Sequence, residues 1–277
     1  MEPIGVVHLA RAKNGLKPFA SFLRSYLRYR AGVPHDLLIV YKGFHDEKEI
    51  GPWEQAMAGL KHQKVLVSDF GFDLRAFRLA VEHWEYKHLF FLNSFSEILA
   101  EDWLAKPLRL FQTNDAVGIV GATGSWESMY SNASSDLNQC RGLIGRLLGQ
   151  GRVAACKLFF DPFPNSHLRT NAFMMPRQLM LRLWPRQIWT KRGAYLFENG
   201  KRGLTKRILS AGLIPLVVGK DGIGYERQHW ARSHTFRSRN QENLLISDNQ
   251  TKLYEGADED RRVKLASLAW GPNLVKS

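Results

Sequence analysis

The stretch Lys64-Val-Leu-Val-Ser-Asp-Phe-Gly-Phe-Asp-Leu-Arg-Ala-Phe-Arg78 changes its hydrophobic period part-way along. Up to Asp69 it is a short, β-rich apolar run that reads as a strand. From Leu74 on, Phe77, Val81 and Trp84 fall at helical spacing, which predicts a helix over Leu74–Trp84. A strand that passes through glycine into a helix is the building unit of an open α/β sheet, and ligands of such sheets bind outside the carboxyl ends of the strands. Gly71, Asp73 and Arg75 are therefore expected to lie where a nucleotide would meet the backbone.

The same alternation extends on both sides of this stretch. Strands are predicted at Val6–Arg11, Leu37–Gly43, Lys64–Asp69, His88–Asn93 and Ala116–Gly121, with further helices over Pro18–Arg30 and Glu101–Phe111. From Ser125 to Ser166 the pattern loosens into small and polar residues, a short basic amphipathic segment and the loop Asp161-Pro-Phe-Pro-Asn-Ser166, as in an insertion beside an active site. Regularity returns with a strand near Leu168–Met175, a helix from Gln178, a helix over Gly203–Ala211 and a strand at Ile214–Gly219. After Gly224 the chain turns polar and is expected to be an irregular, mobile tail, of which Val263–Trp270 can dock back. The fold class is thus α/β, one Rossmann-like domain with a mixed, mainly parallel sheet flanked by helices, over residues 1–225, with a tail at 226–277.

Composition narrows the partners. The 277 residues carry 39 Lys+Arg against 26 Asp+Glu, a formal net charge of +13, which favours anionic ligands. Two cysteines, Cys140 and Cys156, without CxxC or Cys/His spacing, imply neither a disulfide framework nor a structural zinc. No apolar run reaches the roughly 18 to 20 residues that span a bilayer, and no secretory leader is read at the N-terminus, so a cytoplasmic, soluble or peripheral protein is expected. Cys140–Leu148 sets Leu143, Ile144, Leu147 and Leu148 on one face, beside Arg141 and Arg146. Such a helix either packs on its own domain or lies on an anionic membrane surface.

The strand His88–Asn93 opens abruptly into Asn93-Ser-Phe-Ser-Glu97, which places hydrogen-bonding groups at the sheet's carboxyl edge. These either meet a diphosphate or cap a following helix through Ser94 or Ser96. Asp73 likewise either accepts hydrogen bonds from a base or ribose or caps the helix after it.

The order of these elements resembles the nucleotide-sugar half of GT-A glycosyltransferases, with particular likeness to the rhamnan synthesis protein F group. That group carries a Gly-Tyr-Asp-Phe-Gly-Ala type segment where this chain has Gly71-Phe-Asp-Leu-Arg-Ala76, and a Leu-Asn-Asp-Ser type segment where it has Leu92-Asn-Ser-Phe95. His167-Leu-Arg-Thr-Asn171 is similar to its His-Leu-Gln-Ser type strand, and Glu198 to Thr205 to its Glu-x-Gly-Leu-Thr type helix entry, with an insertion. The resemblance spans roughly residues 5 to 225 in the same order.

The resemblance implies hexosyl or deoxyhexosyl transfer, with inversion, from a nucleotide-sugar donor to a glycan or lipid-linked saccharide acceptor in cell-surface polysaccharide synthesis. Residues 1–125 then form the donor half and 126–225 the acceptor half. The implied donor set is His8, Arg11, Gly71, Asp73, Arg75, Asn93 and Ser94. Glu198 is the implied catalytic base, its alternative role being a charge that complements a helix dipole. His167, Arg169 and Asp221 are implied acceptor contacts, Asp221 otherwise serving a glycine-rich turn.

The family's Asp-x-Asp metal motif reads Asn93-Ser-Phe95 here. A required Mn²⁺ or Mg²⁺ is therefore not expected, Glu97 being the one carboxylate nearby, and arginines or Lys13 are left to meet the leaving diphosphate. Two other classes stand beside this reading. One is a catalytically inactive GT-A-like sugar-binding or scaffold protein. The other is a basic nucleic-acid-binding protein, against which the dispersed basic residues and the lack of any helix-turn-helix or zinc-finger pattern argue.

Overall fold

The computed structural model describes residues 4–140, 142–185 and 188–272. Strands and helices first alternate: β1 (Ile4–Arg11), α1 (Leu16–Arg28), β2 (His35–Lys42), α2 (Gly51–Ala56), β3 (His62–Val67), α3 (Asp73–His83) and β4 (His88–Leu92). The chain continues through β5 (Glu97–Ile98), α4 (Ala105–Thr113), β6 (Val117–Gly121) and β7 (Gly124–Ser125) to the helix pair α5 (Met129–Gln139) and α6 (Leu143–Phe159). Next come β8 (His167–Leu168), β9 (Ala172–Pro176), α7 (Arg177–Leu183), α8 (Lys191–Asn199), α9 (Leu204–Ser210), β10 (Ile214–Val218) and β11 (Gly224–Tyr225). A 3₁₀ segment at Arg227–Ser233 precedes β12 (Ile246–Ser247), α10 (Asn249–Glu255) and α11 (Glu259–Trp270).

Eight strands form one sheet in the order β11-β10-β6-β9-β4-β1-β2-β3. The β1–β2, β2–β3, β1–β4 and β6–β10 pairs are parallel, whereas β9 runs antiparallel between β4 and β6. This is the mixed, mainly parallel sheet that the alternation predicts. Both faces are covered, which explains the continuous apolar runs of the central strands. Val7, Leu9, Phe91 and Phe173 meet α3, α7 and α8 on one face, and Val6, Ala10, Phe90 and Met174 meet α1 and α4 on the other.

The differences from the sequence reading have physical causes. The strand expected near Leu168–Met175 divides, because Leu168 pairs with Gly124 in a separate two-stranded ribbon while Ala172 pairs with Leu92 in the main sheet. The loosened region at Ser125–Ser166 holds two helices, and α8 precedes the Gly203–Ala211 helix. Residues after Gly224 are sparse in regular structure between His234 and Leu245, but they are packed: Trp230, Phe236, Leu245, Ile246 and Trp270 are buried. Val263–Trp270 does dock, within α11. Among the described residues, no helix is long and apolar enough to cross a membrane.

Candidate functional site

From β1 the chain moves to β2 and β3 on one side, and with β4 it returns to the other side of β1. That reversal opens a crevice at the carboxyl ends of β1 and β4. Because β9 is antiparallel, its first residues and the loop before it lie at the same edge. The crevice thus gathers the ends of β1 to β4 and the start of β9.

On the β1–β3 side, three cations converge on Asp69. Arg11 Nε donates to Oδ1 at 2.8 Å, Lys13 Nζ lies 2.9 Å from Oδ2, and Lys42 Nζ lies 3.2 Å from Oδ1. Lys42 is only 1% exposed and also donates to the carbonyls of Asp69 at 2.6 Å and Gly71 at 2.9 Å, so one side chain fixes the turn after β3. Burial lowers its pKa, opposed by Asp69. Arg11 first, then Lys13 and Lys42, hold the Asp69 carboxyl far below the usual carboxylate range. Gly71 adopts φ +76°, and a Cβ there would come within 3.2 Å of the Ile188 carbonyl, so the turn requires glycine.

Asp73 begins α3. The N-cap residue is Phe72 and no side chain caps this helix, so Asp73 is not the cap that the sequence allowed. Its carboxylate is partly buried, and desolvation pushes its pKa up against the pull of Arg11 and Lys42. Arg75 reaches Ser68 Oγ and the Phe70 carbonyl, both at 3.4 Å, and lies over the Phe70 ring.

At the end of β4, Asn93 Oδ1 accepts from the Phe95 amide at 3.0 Å and from Ser96 Oγ at 3.1 Å, closing a turn. The Asn93 amide donates to the Asn171 carbonyl at 2.9 Å. Two buried polar atoms here, Ser94 Oγ and Asn171 Nδ2, have no partner among the described residues, and this is the kind of group a ligand satisfies. A hard dication does not fit this donor set. Asn93 Oδ1 is committed to donors, Glu97 is ion-paired with Lys252, and among the described residues no cluster of His, Cys, Asp or Glu suits a metal.

Glu198 was expected ahead of a helix. It does precede α9, but it also lies in the last turn of α8, where a carboxylate opposes the helix dipole, so dipole complementation does not account for it. Its Oε1 accepts from the Thr170 amide at 2.8 Å and from Thr170 Oγ1 at 3.1 Å, next to the start of β9 at the crevice edge. Among the described residues, the hydrogen bonds of the Glu198 carboxylate are to Oε1, which leaves Oε2 for an incoming hydroxyl. Beyond Asn199, Gly200 is needed because a Cβ would come within 2.4 Å of the Leu196 carbonyl. Nearby, His167 Nδ1 lies 2.8 Å from the Asn165 carbonyl and so carries the proton, which leaves Nε2 as an acceptor. Burial lowers this imidazole's pKa, with Glu198 acting in the opposite direction.

Three expected contacts are placed otherwise. His8 is fully buried in β1, stacked on Phe22 at 3.7 Å with neither ring nitrogen partnered among the described residues, so it faces the core under α1 and not a donor. Arg169 clamps the C-terminal segment, with NH2 donating to Asp248 Oδ2 at 2.7 Å and the guanidinium over the Phe236 ring. Asp221 accepts from the Ile223 amide, Tyr225 OH and Asn243 Nδ2, which is the turn role.

Sequence reasoning missed Lys42, Asp69 and Asn171 as site residues. Lys42 had a readable signal, a charge closing the apolar run Leu37–Tyr41 at a strand's carboxyl end, while Asn171 reaches the crevice only through β9's reversed direction. Arg237 was also unmarked. It is buried beside Glu127 at 3.5 Å and borders a cavity of about 640 Å³ with Arg232, Arg239 and Arg262. That cavity and a second of about 330 Å³ near Trp189 and Phe197 are lined by neither Asp73 nor Asn93.

No protein-family model matches the chain, and no curated protein matches it in sequence. Among solved structures, it is similar to the mannosyltransferase PcManGT from Pyrobaculum calidifontis in complex with GDP-Man and Mn²⁺. The TM-score is 0.46 at 14% identity, over 99% of this chain and 72% of that one.

Proposed function

We propose that the protein is a glycosyltransferase that holds a nucleotide-sugar donor in the β1–β4 crevice and passes its sugar to a saccharide hydroxyl activated by Glu198. One observation carries this reading. A single edge of the sheet joins a cluster of three cations, Arg11, Lys13 and Lys42, to a carboxylate, Glu198, whose second oxygen has no hydrogen-bond partner among the described residues.

The chemistry follows from those groups. Glu198 Oε2 takes the proton of the acceptor hydroxyl as its oxygen bonds to the anomeric carbon, and the bond from that carbon to the diphosphate breaks with its electron pair on the diphosphate oxygen. The exposed ammonium of Lys13, with Arg11 behind it, meets the charge that develops there. Asp73 accepts from the nucleoside. Attack opposite the leaving group inverts the anomeric carbon. A glycan or lipid-linked saccharide acceptor, hexosyl or deoxyhexosyl specificity, a cytoplasmic setting and a part in cell-surface polysaccharide synthesis complete the proposal.

Purified protein with UDP-, GDP-, CMP- and dTDP-sugars tests it, because a donor that binds only the folded state raises the melting temperature. One donor class should shift the melt and be hydrolysed or transferred, and turnover should persist in EDTA given the poor donor set for a dication. No shift with any donor would overturn the assignment. A shift without turnover would favour the inactive sugar-binding reading, and activity abolished by EDTA and restored by Mn²⁺ would overturn the metal-independent mechanism.

A further inference from the structure

Helix α6, Leu143-Ile-Gly-Arg-Leu-Leu-Gly-Gln-Gly-Arg-Val-Ala-Ala-Cys-Lys-Leu-Phe159, turns its large aliphatic side chains outward. Leu143 is 77% exposed, Ile144 75%, Leu147 59%, Leu148 72% and Leu158 68%, values a packed helix would show only on its polar face. At about 100° per residue these five side chains fill one arc of the helix. Gly149 lies roughly opposite that arc, and there α5 approaches so closely that a Cβ on Gly149 would come within 2.7 Å of Leu137 Cδ1. The domain therefore covers the small-residue side of α6 and leaves the apolar side bare.

Charge identifies what covers it. No acidic residue lies in α6, while exposed Arg146 and Lys157 border one flank of the apolar arc and exposed Arg152 borders the other, the latter paired with Asp136 at 3.0 Å. A second copy docked face to face would crowd the cations of both helices together. An anionic bilayer instead meets the aliphatic arc with acyl chains and both flanks with headgroup charge.

We propose that α6 lies in the interface of a membrane rich in anionic lipid, with Leu143, Ile144, Leu147, Leu148 and Leu158 in the acyl boundary. The end of α6 is tied to the turn after Glu198: the Lys201 amide donates to the Phe159 carbonyl and Lys201 Nζ to the Lys157 carbonyl, both at 2.9 Å. Docking therefore holds the Glu198 side of the crevice at the lipid surface, where a lipid-linked acceptor stands. The membrane contact itself does not depend on the glycosyl-transfer reading.

Co-sedimentation of the full chain with vesicles of phosphatidylglycerol and phosphatidylcholine, against phosphatidylcholine alone, tests the inference. Wild type should bind the anionic vesicles at least tenfold better, and binding should weaken as salt rises. Ile144→Gln/Leu148→Gln and Arg146→Glu/Lys157→Glu should each reduce binding at least tenfold with an unchanged melting temperature, because all four side chains are exposed. Failure of the wild type to bind, or undiminished binding by both folded variants, would overturn the proposal. A concentration-dependent dimer that is abolished by Ile144→Gln/Leu148→Gln and shows no vesicle binding would do so by assigning the face to a second copy. Loss of vesicle binding with retained donor shifts would separate this inference from the proposed activity.

Discussion

His8 and Asp73 show how single side chains report on their roles. Among the described residues His8 has no hydrogen-bond partner, its ring packs against Phe19 and Phe22, and burial lowers its pKa to about 3. The unfolded chain protonates this imidazole below about 6.5, and the folded chain does so only near 3, so the unfolded state binds the extra proton across that window. Stability associated with His8 is therefore complete above pH 6.5 and falls as pH drops toward 3, by up to about 1.4 kcal/mol per pH unit. His8→Phe keeps the stack on Phe22 and should flatten this acid limb. Melting temperatures of both proteins from pH 7 to pH 4 check it, and parallel curves would show that the imidazole is protonated in the fold. Asp73 is the opposite case, a carboxylate that burial disfavours and that no donor among the described residues rewards. Its raised pKa subtracts from stability at neutral pH, so Asp73→Ala should fold at least as stably as wild type. Loss of most of the donor-induced melting shift in that variant is the expected outcome, and an intact shift would move the nucleoside elsewhere.

At the scale of elements, α8 brings a carboxylate to the crevice against the preference of its own helix dipole. Glu198→Gln keeps an oxygen for the Thr170 amide and removes the base, so kcat should fall by roughly 10² to 10⁴ while donor affinity and melting temperature hardly change. Near-normal kcat would reduce Glu198 to a prop for Thr170. The elements that were legible beforehand share one physical property. β1, β2, β4 and β6 are buried along most of their length and the edge strand β3 partly so, each shows as an apolar run, and the expected boundaries fall within two residues of the observed ones. The illegible elements lack that contrast. In α5 the core-facing positions are small, with Ala133 buried among serines and asparagines, and α6 presents its leucines to solvent, so neither follows the usual inward stripe. The candidate site divides the same way: Asp73 and Asn93 follow from strand ends in sequence, whereas pairing Asn171 with Asn93 needs the reversed strand β9, a tertiary fact.

For the whole molecule, the open question is whether the C-terminal 52 residues, 226–277, are an appendage or part of the fold. Their polarity suggested an appendage because the apolar residues are dispersed singly. The structure buries Trp230, Phe236, Leu245, Ile246, Tyr254 and Trp270 among them. Trp230 packs so tightly on Gly124 that a Cβ there would come within 2.7 Å of its ring, β12 completes a ribbon with β5, and the Trp126 amide donates to the Ala269 carbonyl at 2.9 Å. Asp248 answers the nearly buried Arg169. Truncation after Tyr225 would expose the partners of Trp230, Phe236, Leu245, Ile246, Tyr254 and Trp270, each of which contributes about 1.5–3 kcal/mol by burial. Their sum is on the order of 10 kcal/mol, comparable with the whole stability of a domain at roughly 5–15 kcal/mol. It would also leave the Arg169 guanidinium without its carboxylate, which adds to the loss. The truncated chain should therefore show no cooperative melting transition and should bind a hydrophobic dye at room temperature, whereas a true appendage would leave the transition within a few degrees of the full chain. Arg169→Ala in the full chain removes the clamp alone and should lower the melting temperature while a single cooperative transition persists; a truncated protein that melts like the full chain would show that the sheet and its first nine helices are self-sufficient.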